Sequence, residues 1–408
     1  MELLYARCAG LDVHKETVFA GVRVADSDRV TEHVQAFSTT TKGLLELSEY
    51  LSSHGVTHVA MEATGVYWRP VWHILNGNFV LTLANAAHVK NVPGRKSDVK
   101  DCLWLASLAA HGLIRGSFVP PQPVEELRQL TRTRKQLVRE IGQHSLRLQK
   151  ALEDMNIKLG NVVTDVLGVT GRVILRKLSD GVTDPETLAD EARGALKKKR
   201  QALVEALRGR VTDHHRFMLK LHLDTIEMLE RQVAQLDERL GGALEPFRGA
   251  VSQLTTIPGV GELMARILVS EIGTDMSRFP SAAHLVSWAG LCPRTDESAG
   301  KKRSTRIRRA SPWLRTSLVQ AAWGAARSKG TYLQAQYFRI KARRGSKKAA
   351  IAVAASIVTA AWHMLSYGTF YNDLGPDYFA SRDKAKVAKR LTKRLEDLGF
   401  EVTLKTAA

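Results

Sequence analysis

The chain has 408 residues, enough for two or three domains with a sizeable hydrophobic core. Its hydrophobic content of 44% and charged content of 25% are ordinary for a soluble globular protein, and its three widely spaced cysteines exclude a disulfide framework or a cysteine zinc site. The formal net charge of +19 comes mostly from residues 291–408, which contain 24 Lys and Arg but 8 Asp and Glu. Such a surface suits DNA or RNA, with an anionic membrane as the competing partner.

The cysteine usage favours a reducing compartment, and the amino-terminal sequence predicts no signal peptide. Residues 349–372 carry no formal charge, which raises the question of a membrane span. The run is mostly alanine with some serine, threonine and glycine, whereas a spanning helix needs strongly apolar residues. We therefore expect a buried helix that packs through small side chains, and no membrane partner.

The first 110 residues predict an α/β sheet layer with helices on its faces. A strand begins at Ala9 and ends at Asp12, and a tight turn joins it to a second strand. The other elements alternate along the chain. Their predicted positions are strands at 17–22, 30–38, 56–61 and 79–84 and helices at 41–53, 65–75 and 98–108.

Four carboxylates follow these elements. Asp12 and Glu62 end strands, where open α/β sheets place their sites, and Asp98 and Asp101 share one face at the start of a helix. Asp12 also suits a turn and the helix pair also suits the helix dipole, whereas Glu62 has a weaker structural explanation because its charge directly follows an apolar strand. If the four converge, divalent cations must neutralise them, and oxygen ligands select Mg²⁺ or Mn²⁺. Two such ions suit phosphodiester chemistry.

The middle of the chain predicts a helical coiled coil after a proline-rich linker at 120–123. One apolar seam runs from Leu130 to Met155, and a cleaner one runs from Ile226 to Leu240 in steps of three and four. These two seams can pair within one chain or between two protomers. Residues 160–215 match no functional motif, and the cations at 197–200 predict a solvated helix face or a phosphate contact.

Residues 256–261 match the hairpin of a helix-hairpin-helix element. Its glycines, Gly259 and Gly261, would let backbone N–H groups approach a phosphate beside a helix N-terminus, and we assign them to nucleic-acid binding together with Pro258. A plain helix-capping turn is the structural alternative.

Ser298 lies in a loop beside Ala299 and Gly300 and is followed by cations, so it is well placed to meet a phosphate. An inert surface hydroxyl is the default explanation for a loop serine, and no Gly-x-Ser-x-Gly elbow indicates an esterase. The cations that we assign to nucleic-acid binding occur in two runs. They are Lys301, Lys302, Arg303, Arg306, Arg308 and Arg309, then Arg343, Arg344, Lys347 and Lys348.

Five ordered motifs, at residues 10–15, 62–67, 96–101, 257–261 and 290–301, resemble one known family. The chain resembles the DEDD-type transposases of the bacterial insertion-sequence family one-ten, which are bridge-RNA-guided serine recombinases. The resemblance covers roughly residues 7–150 and 250–365. The chain has Ala299 where the family usually has a second glycine after the serine.

The resemblance implies an α/β amino-terminal RNase H-like domain similar to the RuvC Holliday-junction resolvase, a helical coiled-coil middle and a mainly α transposase domain. It places the four acids on Asp12, Glu62, Asp98 and Asp101, where they hold Mg²⁺. It places the nucleophile on Ser298, which attacks a DNA phosphate to give a phosphoserine link. It also implies donor and target DNA, a non-coding bridge RNA, an active site shared between protomers, and a tetramer formed from dimers.

We expect four regions: a catalytic domain at 1–120, a coiled-coil region at 121–245, a transposase domain with the serine at 246–370, and a basic tail at 371–408. The expected location is the bacterial cytoplasm, at the nucleoid. The leading hypothesis is a transposase that cleaves and rejoins DNA. The alternatives are a hydrolytic junction nuclease that uses the same carboxylates and a non-catalytic nucleic-acid-binding regulator.

Overall fold

The protein is described here by a computed structural model. It divides into two compact units, Met1–Val119 and Pro120–Ala408. For residues 296–298, 301–303, 380, 384–387 and 390 it describes the backbone alone. The described residues are 3–26, 29–63, 65–84, 101–293, 296–298, 301–304, 306–307, 310–381 and 384–403.

The first unit contains a mixed five-stranded sheet in the order β3-β2-β1-β4-β5. The first three strands pair antiparallel, whereas β4 runs parallel to β1 and β5 runs parallel to β4. The α/β sheet layer predicted from the sequence is therefore confirmed. The strands are β1 (Arg7–Val13), β2 (Thr17–Asp26), β3 (Arg29–Ser38), β4 (His58–Glu62) and β5 (Val80–Ala84).

Helices cover both faces of this sheet. The helices α1 (Thr41–Ser53) and α2 (Trp68–Leu75) contribute to one hydrophobic core with the inward residues of β1 and β2. The helix α3 (Asp101–Ala110) packs on β1, β2 and β4. The helix predicted from residue 65 begins at Trp68. Gly65 has a left-handed backbone with φ of 56°, which a right-handed helix does not accommodate, and residues 65–67 form a turn before the helix.

The second unit is built on a long helical hairpin of α4 (Gln122–Asp154) and α9 (Asp213–Leu244). Near its base the Arg134 Nε donates a hydrogen bond to Asp237 Oδ1 at 2.5 Å. Farther along the hairpin, the Nδ1 atoms of His144 and His222 are 3.2 Å apart. Residue numbers rise along one helix as they fall along the other, so the helices are antiparallel. The two predicted seams thus pair within the chain, which was one of the two arrangements left open.

Short helices close the far end of this hairpin. They share a core with Leu148, Met155 and Leu223, and Arg172 and Arg176 of α6 form ion pairs with acids of α9. Most of residues 160–215 thus serve as packing at the hairpin end. The elements are α5 (Leu159–Val162), α6 (Val169–Ser179), α7 (Pro185–Ala189), a 3₁₀ helix (Gly194–Lys199) and α8 (Arg200–Leu207).

The rest of the second unit is a group of helices with one short β-hairpin. Its elements are two 3₁₀ turns (Glu245–Phe247 and Met276–Arg278), α10 (Arg248–Leu254), α11 (Glu262–Ile272), α12 (Ala282–Trp288), β6 (Asp296–Ser298), β7 (Lys301–Ser304), α13 (Pro312–Ala325), α14 (Tyr332–Arg344), α15 (Ser346–Tyr367), α16 (Tyr378–Ser381) and α17 (Lys384–Glu396).

The helix α15 contains most of the uncharged run. Among the described residues it is the one helix whose length and composition would allow it to cross a membrane. It packs against α12, α13 and α14, and buries small side chains that include Ala349, Ala354 and Ala361. The structure therefore confirms the expected buried helix that packs through small residues.

Candidate active site

Asp12 and Glu62 lie side by side at one edge of the sheet. Leu11 of β1 pairs with Met61 of β4 in the parallel register, and Asp12 and Glu62 are the next residue of each strand. Successive side chains of a strand point to opposite faces, so equivalent positions of paired strands share a face. The two carboxylates therefore leave neighbouring strands at the same level and on the same side.

The helix α3 lies on that same face. Gly10 pairs with Gly21, and a Cβ on Gly10 would lie 2.1 Å from the Cys102 carbonyl oxygen. A Cβ on Gly21 would lie 2.7 Å from the Leu103 nitrogen. The helix can approach the sheet this closely because neither residue has a side chain. Gly10 faces α3. Asp12 comes two residues later in the same strand, so it lies on the same face of the sheet, toward the end at which α3 begins.

Asp101 is the first described residue of α3, next to Cys102. Burial raises the pKa of the Cys102 thiol, and the negative charges of Asp12 and Asp101 raise that pKa further. Because Cys102 packs against Gly10 and Gly21, its neighbour Asp101 lies on the face of the sheet that carries Asp12. The structure brings Asp12, Glu62 and Asp101 to one face and one end of the sheet.

The fourth predicted acid, Asp98, lies outside the described residues. Among the residues that are described, no three His, Cys, Asp or Glu side chains come close enough together to hold a metal ion. The donor chemistry nevertheless fits a hard cation, because Asp12, Glu62 and Asp101 offer carboxylate oxygens. A complete site would need Asp98 and a closer approach of the other carboxylates.

His14 is a neighbour of this site to which the sequence analysis gave no role. Its Nε2 lies 3.2 Å from Asp12 Oδ2, and its side chain is 58% exposed. It lies two residues after Asp12, directly beyond the end of β1. The spacing Asp-x-His at a strand end was the signal that could have identified it.

Ser298 lies in the second unit, at the end of β6. It pairs with Lys301 of β7 in an antiparallel hairpin, so it ends a short strand and is not the loop residue that was predicted. Lys302 and Arg303 follow in β7, and an isolated bridge joins Pro293 to Ile307. Ser298 is therefore the last residue of the first strand of a hairpin whose second strand is rich in cations.

The remaining predicted cations divide into two groups. Arg306 is exposed, whereas Arg308 and Arg309 lie outside the described residues. The other four are exposed around the junction of α14 and α15. They are Arg343, Arg344, Lys347 and Lys348.

The hairpin at 257–261 has a packing role that the motif did not predict. Gly259 has a φ of 84°, and a Cβ there would lie 2.3 Å from the Ala325 nitrogen and 2.4 Å from the Ala321 oxygen. The absence of a side chain at Gly259 thus allows contact with α13. Gly261 has open space around it and caps α11, and Pro258 is half-buried. Phosphate contact by these three residues stays a prediction.

Two family models match this chain. A transposase model matches residues 9–157, which include all four predicted acids. A model of the IS116/IS110/IS902 transposase family matches residues 251–338, which include the hairpin at 257–261 and Ser298.

Three relatives agree with these matches. "Putative transposase y4pF/y4sB" of Sinorhizobium fredii is 30% identical over 159 residues, 38% of this chain and 41% of the relative. An uncharacterized 43.6 kDa protein of insertion element IS110 from Streptomyces coelicolor is 32% identical over 125 residues, 30% of each chain. The pilin gene-inverting protein of Moraxella bovis is 25% identical over 299 residues, 71% of this chain and 73% of the relative.

The matches to the first two relatives thus span less than half of their length. The two family models, however, match separate parts of the chain in the order in which the motifs occur, and one of these relatives is named for the IS110 element itself. The chain therefore belongs to the IS110 family of transposases.

Proposed function

We propose that the chain is a DNA recombinase that cleaves and rejoins strands during transposition of an insertion sequence. The observation that carries the proposal is the placement of Asp12, Glu62 and Asp101 on one face at one end of a mixed sheet. The strand order β3-β2-β1-β4-β5 is compatible with an RNase H-like, RuvC-like domain. The relatives include one named as a putative transposase and one named as a pilin gene-inverting protein, and both names support this proposal.

In the proposed reaction, the Ser298 hydroxyl oxygen attacks a DNA phosphorus and loses its proton to a base or to solvent. The bond from that phosphorus to one deoxyribose oxygen breaks, and the leaving oxygen takes up a proton. The product is a phosphoserine diester with one DNA end. Attack by a second DNA hydroxyl then reverses these steps, releases Ser298 and forms a new phosphodiester, with no net oxidation or hydrolysis.

Asp12, Glu62, Asp98 and Asp101 would hold Mg²⁺, with Mn²⁺ as a substitute. The bound ion would supply positive charge to the phosphate oxygens as the reaction proceeds. His14, 3.2 Å from Asp12, would keep that carboxylate oriented.

The remaining features of the proposal rest on the family resemblance. They are pairing of a non-coding bridge RNA with donor and target DNA, assembly of dimers into a tetramer, an active site shared between protomers, and action at the nucleoid. The proposed regions are the catalytic domain at 1–120, the coiled coil at 121–245, the transposase domain at 246–370 and the tail at 371–408. The proposed bridge RNA is tested by sequencing the RNA that co-purifies with the protein. A random population of cellular RNA would contradict the proposal that a specific RNA is bound.

The serine mechanism is tested by covalent trapping. Full-length protein, Mg²⁺, labelled DNA carrying the element's ends and the co-purifying RNA are incubated and then denatured with SDS. We expect labelled DNA to remain attached to the wild type and to Ser304→Ala, a variant in the second strand of the same hairpin, but not to Ser298→Ala. Cleaved DNA without attached protein would indicate a hydrolytic nuclease, and DNA binding without cleavage would indicate a regulator.

The cations after the serine are tested by the salt dependence of binding. Replacing Arg306, Arg308 and Arg309 together with glutamine is expected to lower affinity for double-stranded DNA and to reduce the slope of log K against log salt by up to about 2.7, since each phosphate contact contributes about 0.9. Fluorescence anisotropy across a salt series gives the slope. A slope equal to that of the wild type would show that these arginines do not contact the DNA.

A further inference from the structure

Two large aromatic side chains of the second unit are exposed next to a buried one. Trp323 on α13 is 42% exposed, and Phe338 on α14 is 51% exposed. Tyr337 lies between them with 3% exposure, and its ring centroid is 6.0 Å from that of Trp323 and 5.4 Å from that of Phe338. The three rings therefore form one continuous group whose two outer members face solvent.

Cations lie beside Phe338 on α14 and at the start of α15. The Lys341 Nζ lies 5.6 Å from the Phe338 ring centroid, one helical turn farther along α14. Lys347 and Lys348 are exposed in the first turn of α15. The N-cap of that helix, Gly345, provides no side-chain hydrogen bond, so backbone N–H groups of the first turn add to the positive potential. We call Trp323, Phe338, Lys341, Lys347 and Lys348 the aromatic-cation surface.

The stretch of sequence that carries this surface contains no acids to balance its cations. Residues 298–372 contain 15 Lys and Arg and no Asp or Glu. The helical hairpin and the short helix α6 at its end contain cations with acidic partners, because Arg134 pairs with Asp237 and Arg176 with Asp224 and Glu227. The cations of residues 298–372, in contrast, have no acid in their own segment. An external polyanion is the natural partner of such a segment.

We propose that the aromatic-cation surface binds an unpaired DNA strand, with bases stacked on Phe338 and Trp323 and phosphates at Lys341, Lys347 and Lys348. Stacking needs a free base face, which a duplex does not offer along its length, so the exposed rings favour a single strand. The dense positive charge argues against a protein partner on this apolar patch. The source of the strand rests on the proposed function, because cleavage and strand exchange expose unpaired DNA.

The test measures binding of the full-length protein to a short labelled DNA strand in EDTA, by fluorescence anisotropy. We expect Phe338→Ala and Trp323→Ala each to weaken binding roughly 5- to 100-fold, and Phe338→Tyr and Trp323→Phe to retain it. Phe217→Ala removes an aromatic residue that is 64% exposed on α9 and should bind as the wild type does. The aromatic variants should keep the wild-type salt slope, whereas Lys347→Gln should reduce it by about 0.7.

Four results would overturn the proposal. They are unchanged single-strand affinity in both alanine variants, an equal loss for a duplex of the same sequence, a loss seen for an RNA strand but not for DNA, and conversion of an oligomer to a monomer by Phe338→Ala with unchanged affinity. Because the assay contains EDTA, it does not depend on cleavage. If covalent trapping fails but the binding pattern is as expected, the proposed function is wrong and the aromatic-cation surface stands. If trapping succeeds but the binding pattern is absent, the aromatic-cation surface alone is wrong.

Discussion

Replacing Asp12 with asparagine is expected to reduce Mg²⁺-dependent DNA cleavage by about 10³-fold or more, with little change in DNA binding. The variant keeps the size of the side chain but removes the negative charge that neutralises a bound cation. Loss of metal-based stabilisation of several kcal/mol corresponds to this factor, because each 1.36 kcal/mol is tenfold in rate. Single-turnover cleavage of labelled DNA at saturating protein measures the effect, and Glu62→Gln and Asp101→Asn should behave in the same way.

The control for this prediction lies at the opposite end of the same sheet. Asp26 ends β2, its side chain is 71% exposed, and its carboxylate lies 3.5 Å from an Arg7 guanidinium nitrogen. Asp26→Asn makes the same chemical change in the same domain and should leave cleavage unchanged. If Asp12→Asn retained full Mg²⁺-dependent cleavage, or if Asp26→Asn lost as much, the assignment of the carboxylate site would be wrong.

The position of the candidate carboxylates could be predicted because local rules determine it. Asp12 and Glu62 end apolar strands, and parallel strands bring such ends to one edge of a sheet. The close packing of α3 beside these carboxylates could not be predicted. It requires the pairing of Gly10 with Gly21, which depends on the register of two strands. That pair lets α3 approach the sheet and places Asp101 near Asp12.

Other features were left open or missed because one sequence pattern serves two structures. A glycine at 259 suits close approach of either a phosphate or a helix, and here α13 makes the close contact. The seam of α9 could have paired with another protomer as well as with α4, since the heptad spacing is the same in both cases. The strand that ends at Ser298 has three residues, too few to show a period of two.

Glu271→Ala is expected to destabilise the second unit by about 3–5 kcal/mol, the usual cost when one partner of a buried ion pair is removed. The Glu271 side chain is 1% exposed, and the Arg132 Nε and Nη2 atoms donate to its two oxygens at 2.8 and 2.9 Å. Arg128 lies 3.7 Å from the same carboxylate and donates to the Ser270 carbonyl at 3.4 Å. Without Glu271, two partly buried guanidinium groups on α4 would face α11 without their anion.

The same group of contacts extends to α13, where the Lys135 Nζ donates to Ser317 Oγ at 3.0 Å and to the Trp313 carbonyl at 3.3 Å. Urea unfolding of the full chain, followed by tryptophan fluorescence, measures the loss in stability. Glu262→Ala is the matched control on α11, because its side chain is 65% exposed and its pair with Arg266 should contribute no more than about 0.5 kcal/mol. Arg132→Ala in the Glu271→Ala background should cost little more, since the pair acts as a unit. Equal stability of the Glu271→Ala and Glu262→Ala variants would show that α4 and α11 are held together by apolar packing without this ion pair.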